Sequence, residues 1–330
     1  SPSGGMPSRP TNYDMNNTQL TAEERIWSVL AHLSALAFGM GILLPVIGWS
    51  EQRNKSKYAS FQCLQALGYQ SLGFTFWLLS YLVVFVGILI VLVVMSFQAE
   101  SAGRPFDPLD GPILSLLYIT AFVFTGMYVL LPIVASIACA LGKDFRYPIL
   151  GNRLANYLGY QSGRDTSNLL IEEHEDRWVV AMGHFAVIIL LWGLIAPLTT
   201  WMVQGKRSVF IQFQSVQTTV YQAGVTILYF LGIFIYVIGF AAFIAATGFV
   251  GAPGGGMSAG LISFGIFILF SLVAILIFML VPLCHILGQW AGYRVLKGDH
   301  YRYPIVGRWV ERRMAAKTPL AADGGVSKEG

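Results

Sequence analysis

Two histidines, His32 and His184, are the only ionisable groups inside two apolar stretches of this sequence, about 26–49 and 178–203. An imidazole in such a setting has two chemistries open to it. It can ligate a haem or a chlorin, and equivalent histidines from two halves of a chain would suit that role. It can also stay neutral and hydrogen-bond a nearby amide, fixing how helices pack. Nothing else in the sequence signals a cofactor, so packing is the expected role and no cofactor is expected. The amides are close by: Gln62 and Gln65 follow His32, and Gln214 and Gln217 follow His184. With Tyr69, Gln62 and Gln65 fall at i, i+3 and i+7, on one helical face. These six side chains, His32, Gln62, Gln65, His184, Gln214 and Gln217, are the candidate packing cluster or, if they border water, the lining of a polar groove.

A second candidate lies at the end of each half. Lys143 to Arg153 and Gly298 to Arg308 share an aromatic, Arg, Tyr, Pro, Ile core after a long apolar run. Proline stops a helix and pushes the residue before it into extended backbone. Arg146 with Tyr147, and Arg302 with Tyr303, therefore have the composition of a belt at headgroup depth, an anchor or a lipid-headgroup site.

No catalytic signature is present. The apolar segments hold no Asp pair, no His–Glu zinc spacing and no Gly-x-Ser-x-Gly elbow. The glycine-rich stretch 251–256 lacks the Lys and Ser or Thr of a phosphate loop. Ion-coupled transport calls for charges within the spans, and these have none. His285 has no counterpart in the first half. Cys63, Cys139 and Cys284 show neither paired nor metal-type spacing and are expected as free thiols.

The elements that must position these residues are membrane helices. Of 330 residues, 55% are hydrophobic and 12% charged, far from the ~25% charge of a soluble domain. Three stretches per half, about 26–49, 60–97 and 112–142, then 178–203, 209–249 and 259–293, contain no Asp, Glu, Lys or Arg. Such runs can cross a ~30 Å hydrocarbon layer as helices. The net charge of +4 is scattered through short loops, which argues against a nucleic-acid partner. The opening residues lack the apolar core of a signal peptide, so targeting is expected to reside in the apolar segments themselves.

The halves are copies. At an ungapped offset of 152, His32 pairs with His184, Arg25 with Arg177, Pro45 with Pro197, Trp49 with Trp201, Gln62 with Gln214, Gln65 with Gln217 and Tyr69 with Tyr221. Rare residue types do not fall into one register through a shared leucine bias, so the chain is a tandem duplication. The closing clusters correspond at 156. The expected organisation is a polar tail 1–23, a membrane repeat 24–158, a polar linker 159–175, a second repeat 176–313 and a polar tail 314–330. The fold class is all-α, a polytopic integral membrane protein of two homologous helical repeats.

Charge sets the topology. If every apolar segment crosses, the second repeat is inverted and the Lys and Arg divide 13 against 8. If the first segment of each repeat dips in and returns, 20 of 21 share one side and Arg104 stands alone. The positive-inside rule favours the second arrangement, with 98–111 and 250–258 outside and both termini cytoplasmic in a bacterial inner membrane. Gly39, Gly41 and Pro45, and Gly193 and Pro197, offer places to break. The segment 60–97, roughly 55 Å as a helix, exceeds one crossing, so its glutamine-bearing start is expected at the interface or against the other repeat.

The run Glu24 to Leu36, the Leu-Leu-Pro-Val-Ile-Gly-Trp of 43–49, the Phe61-Gln62, Gln65-Ala66-Leu67 and Tyr69-Gln70 positions, and Phe145 to Ile149 together resemble a family of small bacterial membrane proteins of unknown function. That family is distantly similar to the channel subunit of the chloroplast inner-envelope protein translocon. The resemblance covers 24–153 closely and 176–308 more loosely, departing at 179–188 and 215–222. It implies an all-helical integral membrane protein and supplies no catalytic residues. The expected role is a noncatalytic scaffold or accessory subunit that holds partner membrane proteins and contacts lipid. The alternative is a translocation or insertase-like conduit lined by the glutamines.

Overall fold

The computed structural model describes residues 20–103, 111–161, 169–250 and 257–316. Most of the expected tails, residues 104–110 and 251–256 of the two connectors and the centre of the linker lie outside the described residues. No strand occurs among those described. The chain divides into two compact units at Glu175 and Asp176.

Unit one begins with α1 (Ala22–Leu33), a 3₁₀ stretch (Ser34–Ile42) and α2 (Leu43–Gln52). Thr21 caps α1 in a reciprocal box: its hydroxyl accepts from the Glu24 amide, and the Glu24 carboxylate accepts from the Thr21 amide. The 3₁₀ stretch breaks at Phe38, which sits at φ 51°, ψ −134°, a conformation that β-carbon-bearing residues rarely adopt. Beyond it the chain returns antiparallel to α1. A Cβ on Gly41 would collide with the Ser34 carbonyl oxygen, and one on Gly48 would lie 3.0 Å from the Trp27 ring. Two close approaches at matched distances from the bend define a helical hairpin that closes only because these positions carry no side chain.

α3 (Lys57–Gly68), capped by the Ser56 hydroxyl on the Ala59 amide, passes through a π-helical turn (Tyr69–Gly73) into α4 (Phe74–Ser101). α5 (Gly111–Ala140) returns, and the short α6 (Leu150–Leu158) follows the Tyr147–Pro148 turn. Unit two repeats the plan. α7 (Glu172–Phe185), a 3₁₀ stretch (Ala186–Leu194) broken at Leu190 (φ 51°) and α8 (Ile195–Gln204) form its hairpin. There a Cβ on Gly193 would meet the Ala186 carbonyl oxygen, and one on Gly183 would lie 3.4 Å from Pro197. α9 (Val209–Val250), α10 (Met257–Leu296) and α11 (Val306–Ala315) complete it.

Among the described residues, six helical segments are long and apolar enough to cross a membrane. Two of them are the hairpins, and the reversals at Phe38 and Leu190 change what they can do. Counted from the reversal to the nearest charged residue, the longest arm is 191–205, which reaches about 25 Å, short of a ~30 Å hydrocarbon layer. Burial separates the classes too. Half of the most apolar window of Ala22–Gln52 is buried inside the protein, against 6% of that in Lys57–Ser101. The hairpins pack within the units, while α4, α5, α9 and α10 turn Phe76, Val83, Phe122, Phe234 and Leu276 outward. Residues 59–68 are all buried beneath their own unit's hairpin and Tyr147 turn.

Glycines in tight and open places should respond oppositely to the same methyl group. Gly41→Ala and Gly193→Ala are expected to destabilise by about 1–3 kcal/mol through overpacking. At Gly224 nothing lies within 4 Å of the added atom, so Gly224→Ala should gain up to about 1 kcal/mol of helix propensity. Thermal unfolding of the detergent-solubilised protein, followed by tryptophan fluorescence, measures both.

Candidate functional site

Each hairpin leads an imidazole onto two glutamines and a tyrosine. In unit one, Gln62 Nε2 donates to Asp144 Oδ1 (3.1 Å) and to the Phe145 carbonyl (3.1 Å). Two acceptors on that edge fix the amide's orientation, so Gln62 Oε1 faces His32 Nε2 at 2.9 Å. Nε2 must then carry the proton and donate. His32 Nδ1 is left as an acceptor, with the Tyr147 hydroxyl 3.1 Å away. Burial holds the Tyr147 phenol well above the ordinary tyrosine value, so it remains an O–H donor. Gln65 closes the ring: its Nε2 donates to Gln62 Oε1 (3.2 Å) and the Phe145 carbonyl (3.0 Å), and its Oε1 accepts the Tyr147 amide (2.8 Å). His32, Gln62 and Gln65 are wholly buried and Tyr147 is 3% exposed.

Unit two builds the same ring. His184 Nε2 faces Gln214 Oε1 (3.2 Å), and the Tyr303 hydroxyl faces His184 Nδ1 (3.0 Å). Gln214 and Gln217 both donate to the Tyr301 carbonyl, and Gln217 Oε1 accepts the Tyr303 amide (3.3 Å). Three positions differ, the first being Tyr301 in place of Phe145, whose carbonyl keeps the same role. Thr218 stands where unit one has Ala66, with its hydroxyl 3.0 Å from His184 Nδ1. His300 stands where unit one has Asp144, and its ring meets Phe210 edge-on.

A tyrosine from the second segment lies under each ring. Tyr69 stacks on Tyr147 at 4.2 Å and Tyr221 on Tyr303 at 3.9 Å. The Tyr69 hydroxyl donates to the Tyr128 carbonyl (2.9 Å). That carbonyl is available because Pro132, one turn later in α5, brings no N–H. One turn beyond the glutamines, Gln70 donates to the Ala31 carbonyl and Gln222 to the Gly183 carbonyl, tying the third glutamine of each repeat to its hairpin.

The six packing candidates thus come together as two triads, one per unit. Both nitrogens of each imidazole are engaged, so ligating a metal or macrocycle would break one of these bonds. The anchor candidates divide. Arg146 and Arg302 lie at the surface: Arg146 pairs with Asp144 (3.4 Å) and Asn152 (3.0 Å), and Arg302 with Glu311 (2.5 Å). Tyr147 and Tyr303 are interior, and their reading as headgroup anchors is corrected. The proline turn aims them back at histidine, where hydroxyl, ring face and backbone amide are all used.

A further cluster was not foreseen. Arg53 and Glu175 are 3% and 2% exposed and lie 3.6 Å apart. Trp49 Nε1 donates to Glu175 Oε1 (3.1 Å), and the Arg53 guanidinium covers the Trp49 ring at 4.6 Å. Glu175 was expected in a polar linker. Its burial makes the linker's end part of unit one's packing.

The repeated hairpin, long helix pair and Tyr-Pro ring can now be set beside known proteins. The model of the magnetosome magnetite crystal formation protein family matches twice, at residues 23–154 and 175–310. This chain belongs to that family. The two matches are the two repeats, in agreement with tandem duplication of a bacterial membrane-protein family. Searches of curated proteins and of solved structures found no match. Each matched range of this magnetosome-family chain takes in a hairpin, its long helices and the start of the amphipathic helix after the Tyr-Pro turn.

The two rings make a sharp comparison. Tyr147→Phe leaves His32 Nδ1 without its donor and should cost about 1–3 kcal/mol, the price of an unsatisfied buried acceptor. Tyr303→Phe should cost less, because the Thr218 hydroxyl, 3.0 Å from His184 Nδ1, can turn its proton there from the Gln214 carbonyl. Adding Thr218→Ala to Tyr303→Phe should restore the larger loss. Unfolding midpoints of the four proteins in one detergent give the answer.

Proposed function

We propose that this protein is a noncatalytic integral membrane accessory subunit that holds partner membrane proteins in a membrane where magnetite crystals form. The observation that carries the reading is the direction of its polarity. The glutamines, histidines and tyrosines of each repeat face inward and are bonded to one another, while the long helices present apolar surface. Gly87, Gly126 and Gly265 on those helices have nothing within 4 Å of a built Cβ. Small open positions on lipid-facing helices are where another helix can approach closely. The family's description supplies the setting, and the absence of Asp, Glu, Lys and Arg from 60–97, 112–142, 209–249 and 259–293 argues against coupled transport.

A conduit, the role suggested by the distant translocon likeness, would need Gln62, Gln65, Gln214 and Gln217 beside a hydrated path. All four are enclosed at 0% exposure, which favours the accessory role. The hairpins' short arms support a topology in which each repeat crosses twice and its hairpin enters and leaves on one side, collecting the basic loops there.

Topology is tested by labelling single cysteines in a cysteine-free background. In sealed vesicles, Asn54→Cys and Lys206→Cys should react from the same side and Ser101→Cys from the other. Reaction of Asn54→Cys and Lys206→Cys from opposite sides establishes the inverted three-plus-three arrangement instead. The role is tested by purification in mild detergent with mass spectrometry of what accompanies the protein. A stoichiometric membrane-protein partner should be lost in Gly87→Leu or Gly265→Leu while the unfolding midpoint holds. Partner-free protein that conducts ions or passes polypeptide in liposomes would overturn the reading.

A further inference from the structure

The short helix after each Tyr-Pro turn has the same inner face in both repeats and a different outer one. At the offset of 156, Gly151 and Leu154 of α6 correspond to Gly307 and Val310 of α11, and all four are buried. Outward, Ile149 and Ile305 correspond and are 80% and 81% exposed. The remaining outer positions diverge: Asn152, Arg153, Asn156 and Tyr157 of α6 stand against Arg308, Trp309, Arg312 and Arg313 of α11. Ile305, Arg308, Trp309 and Arg312 follow the i, i+3, i+4, i+7 spacing of one helical face. The Arg313 guanidinium lies over the Trp309 ring at 5.3 Å. The acid of this helix, Glu311, sits on its flank and is taken up by Arg302 at 2.5 Å. On a shared scaffold, one copy thus carries three arginines and a half-exposed tryptophan where the other carries one arginine between amides.

The level of this face along the molecule identifies its partner. α10 ends in two cation-over-ring pairs, Arg294 on Trp290 (5.8 Å) and Lys297 on Tyr293 (5.7 Å). Exposed aromatics beside basic residues at the end of an apolar helix mark the headgroup layer, and α11 follows them after the Tyr-Pro turn of 298–305. Ten residues are too few to enter and cross. A basic helix with protruding Ile and Trp at that depth has the form of an interfacial helix.

We propose that α11 docks flat on anionic lipid, with Ile305 and Trp309 set among the upper chain carbons and Arg308, Arg312 and Arg313 on headgroup phosphates, and that α6 lacks this selectivity. The proposal rests on the membrane placement of α10 and is independent of the accessory role. Each basic residue near an anionic surface multiplies binding about fivefold, so three together give on the order of a hundredfold.

The test uses the full chain reconstituted in phosphatidylcholine vesicles. One set carries brominated phosphatidylglycerol and the other brominated phosphatidylcholine at the same mole fraction. The difference in emission between the native chain and Trp309→Phe isolates Trp309. Its emission should be quenched several-fold more by the anionic quencher, and the preference should collapse in high salt. The combined Arg308→Asn, Arg312→Asn and Arg313→Tyr variant, which installs repeat one's residues, should lose the preference. Replacing the same three arginines with lysine should keep it, which separates charge from misfolding. Equal quenching by the two lipids, preference surviving in the repeat-one variant, or loss in the lysine variant would each overturn the proposal. So would the absence of quenching by either lipid, the result expected if an acidic protein surface covers this face.

Discussion

A buried neutral imidazole needs a donor at one ring nitrogen and an acceptor at the other, and supplying both decides where three distant parts of each repeat must meet. His32 comes from the first hairpin arm, Gln62 from the start of the second segment and Tyr147 from the turn after the third. The glutamine's orientation is in turn set by the Asp144 carboxylate and a backbone carbonyl of that same turn. The chain end is therefore folded back over its beginning because unpaired polar groups there would be costly in an enclosed interior. The close approaches at Gly41, Gly48 and Gly151 follow from the same closure. Gly151 stands 2.5 Å, at the position of a built Cβ, from the Gln65 oxygen that holds the Tyr147 amide.

The duplication gives each ring its own control. Histidine, two glutamines and a stacked tyrosine pair recur with similar distances, so the minimal design is the part both copies keep. What varies lies around it. Thr218 gives the second ring a second hydroxyl beside His184, one that donates to the Gln214 carbonyl, whereas Asp144 gives the first a carboxylate that also accepts from the Tyr160 hydroxyl. The π-turn of Tyr69–Gly73 belongs to the first copy, and the second runs as one continuous helix, α9. Such turns insert one residue into the helical ladder and often accompany functional sites. Divergence is greatest at the surface helices α6 and α11, where charge is rewritten without touching the buried side. The two halves share a skeleton and differ in what they present outward.

The chain belongs to the magnetosome magnetite crystal formation family, and its geometry is that of membrane units with their polarity turned inward. Its six apolar segments are of two physical kinds. The long helices are covered by few neighbours and expose aliphatic and aromatic side chains. The hairpins are substantially buried, and each reverses direction near its middle.

From the sequence by itself came the helical class, the repeat and its register, the pairing of His32 with His184 and of the glutamines, and the need for a break in each first segment. These follow from residue type and spacing, which act locally or compare the chain with itself. The site of the break did not: the glycines and prolines are real, yet the reversal falls at Phe38 and Leu190, because the close contacts at Gly41 and Gly193 fix where the arms can touch. Nor did the direction of Tyr147 and Tyr303. A tyrosine between arginine and proline has one signature whether it meets a headgroup or an interior histidine, and only the return of the chain end onto the hairpin decides. Arg53 and Glu175 are more than a hundred residues apart, and nothing local distinguishes them from solvated loop charges. Tertiary structure alone buried both, because the ion pair and the Trp49 indole satisfy each other only when the linker closes on the hairpin.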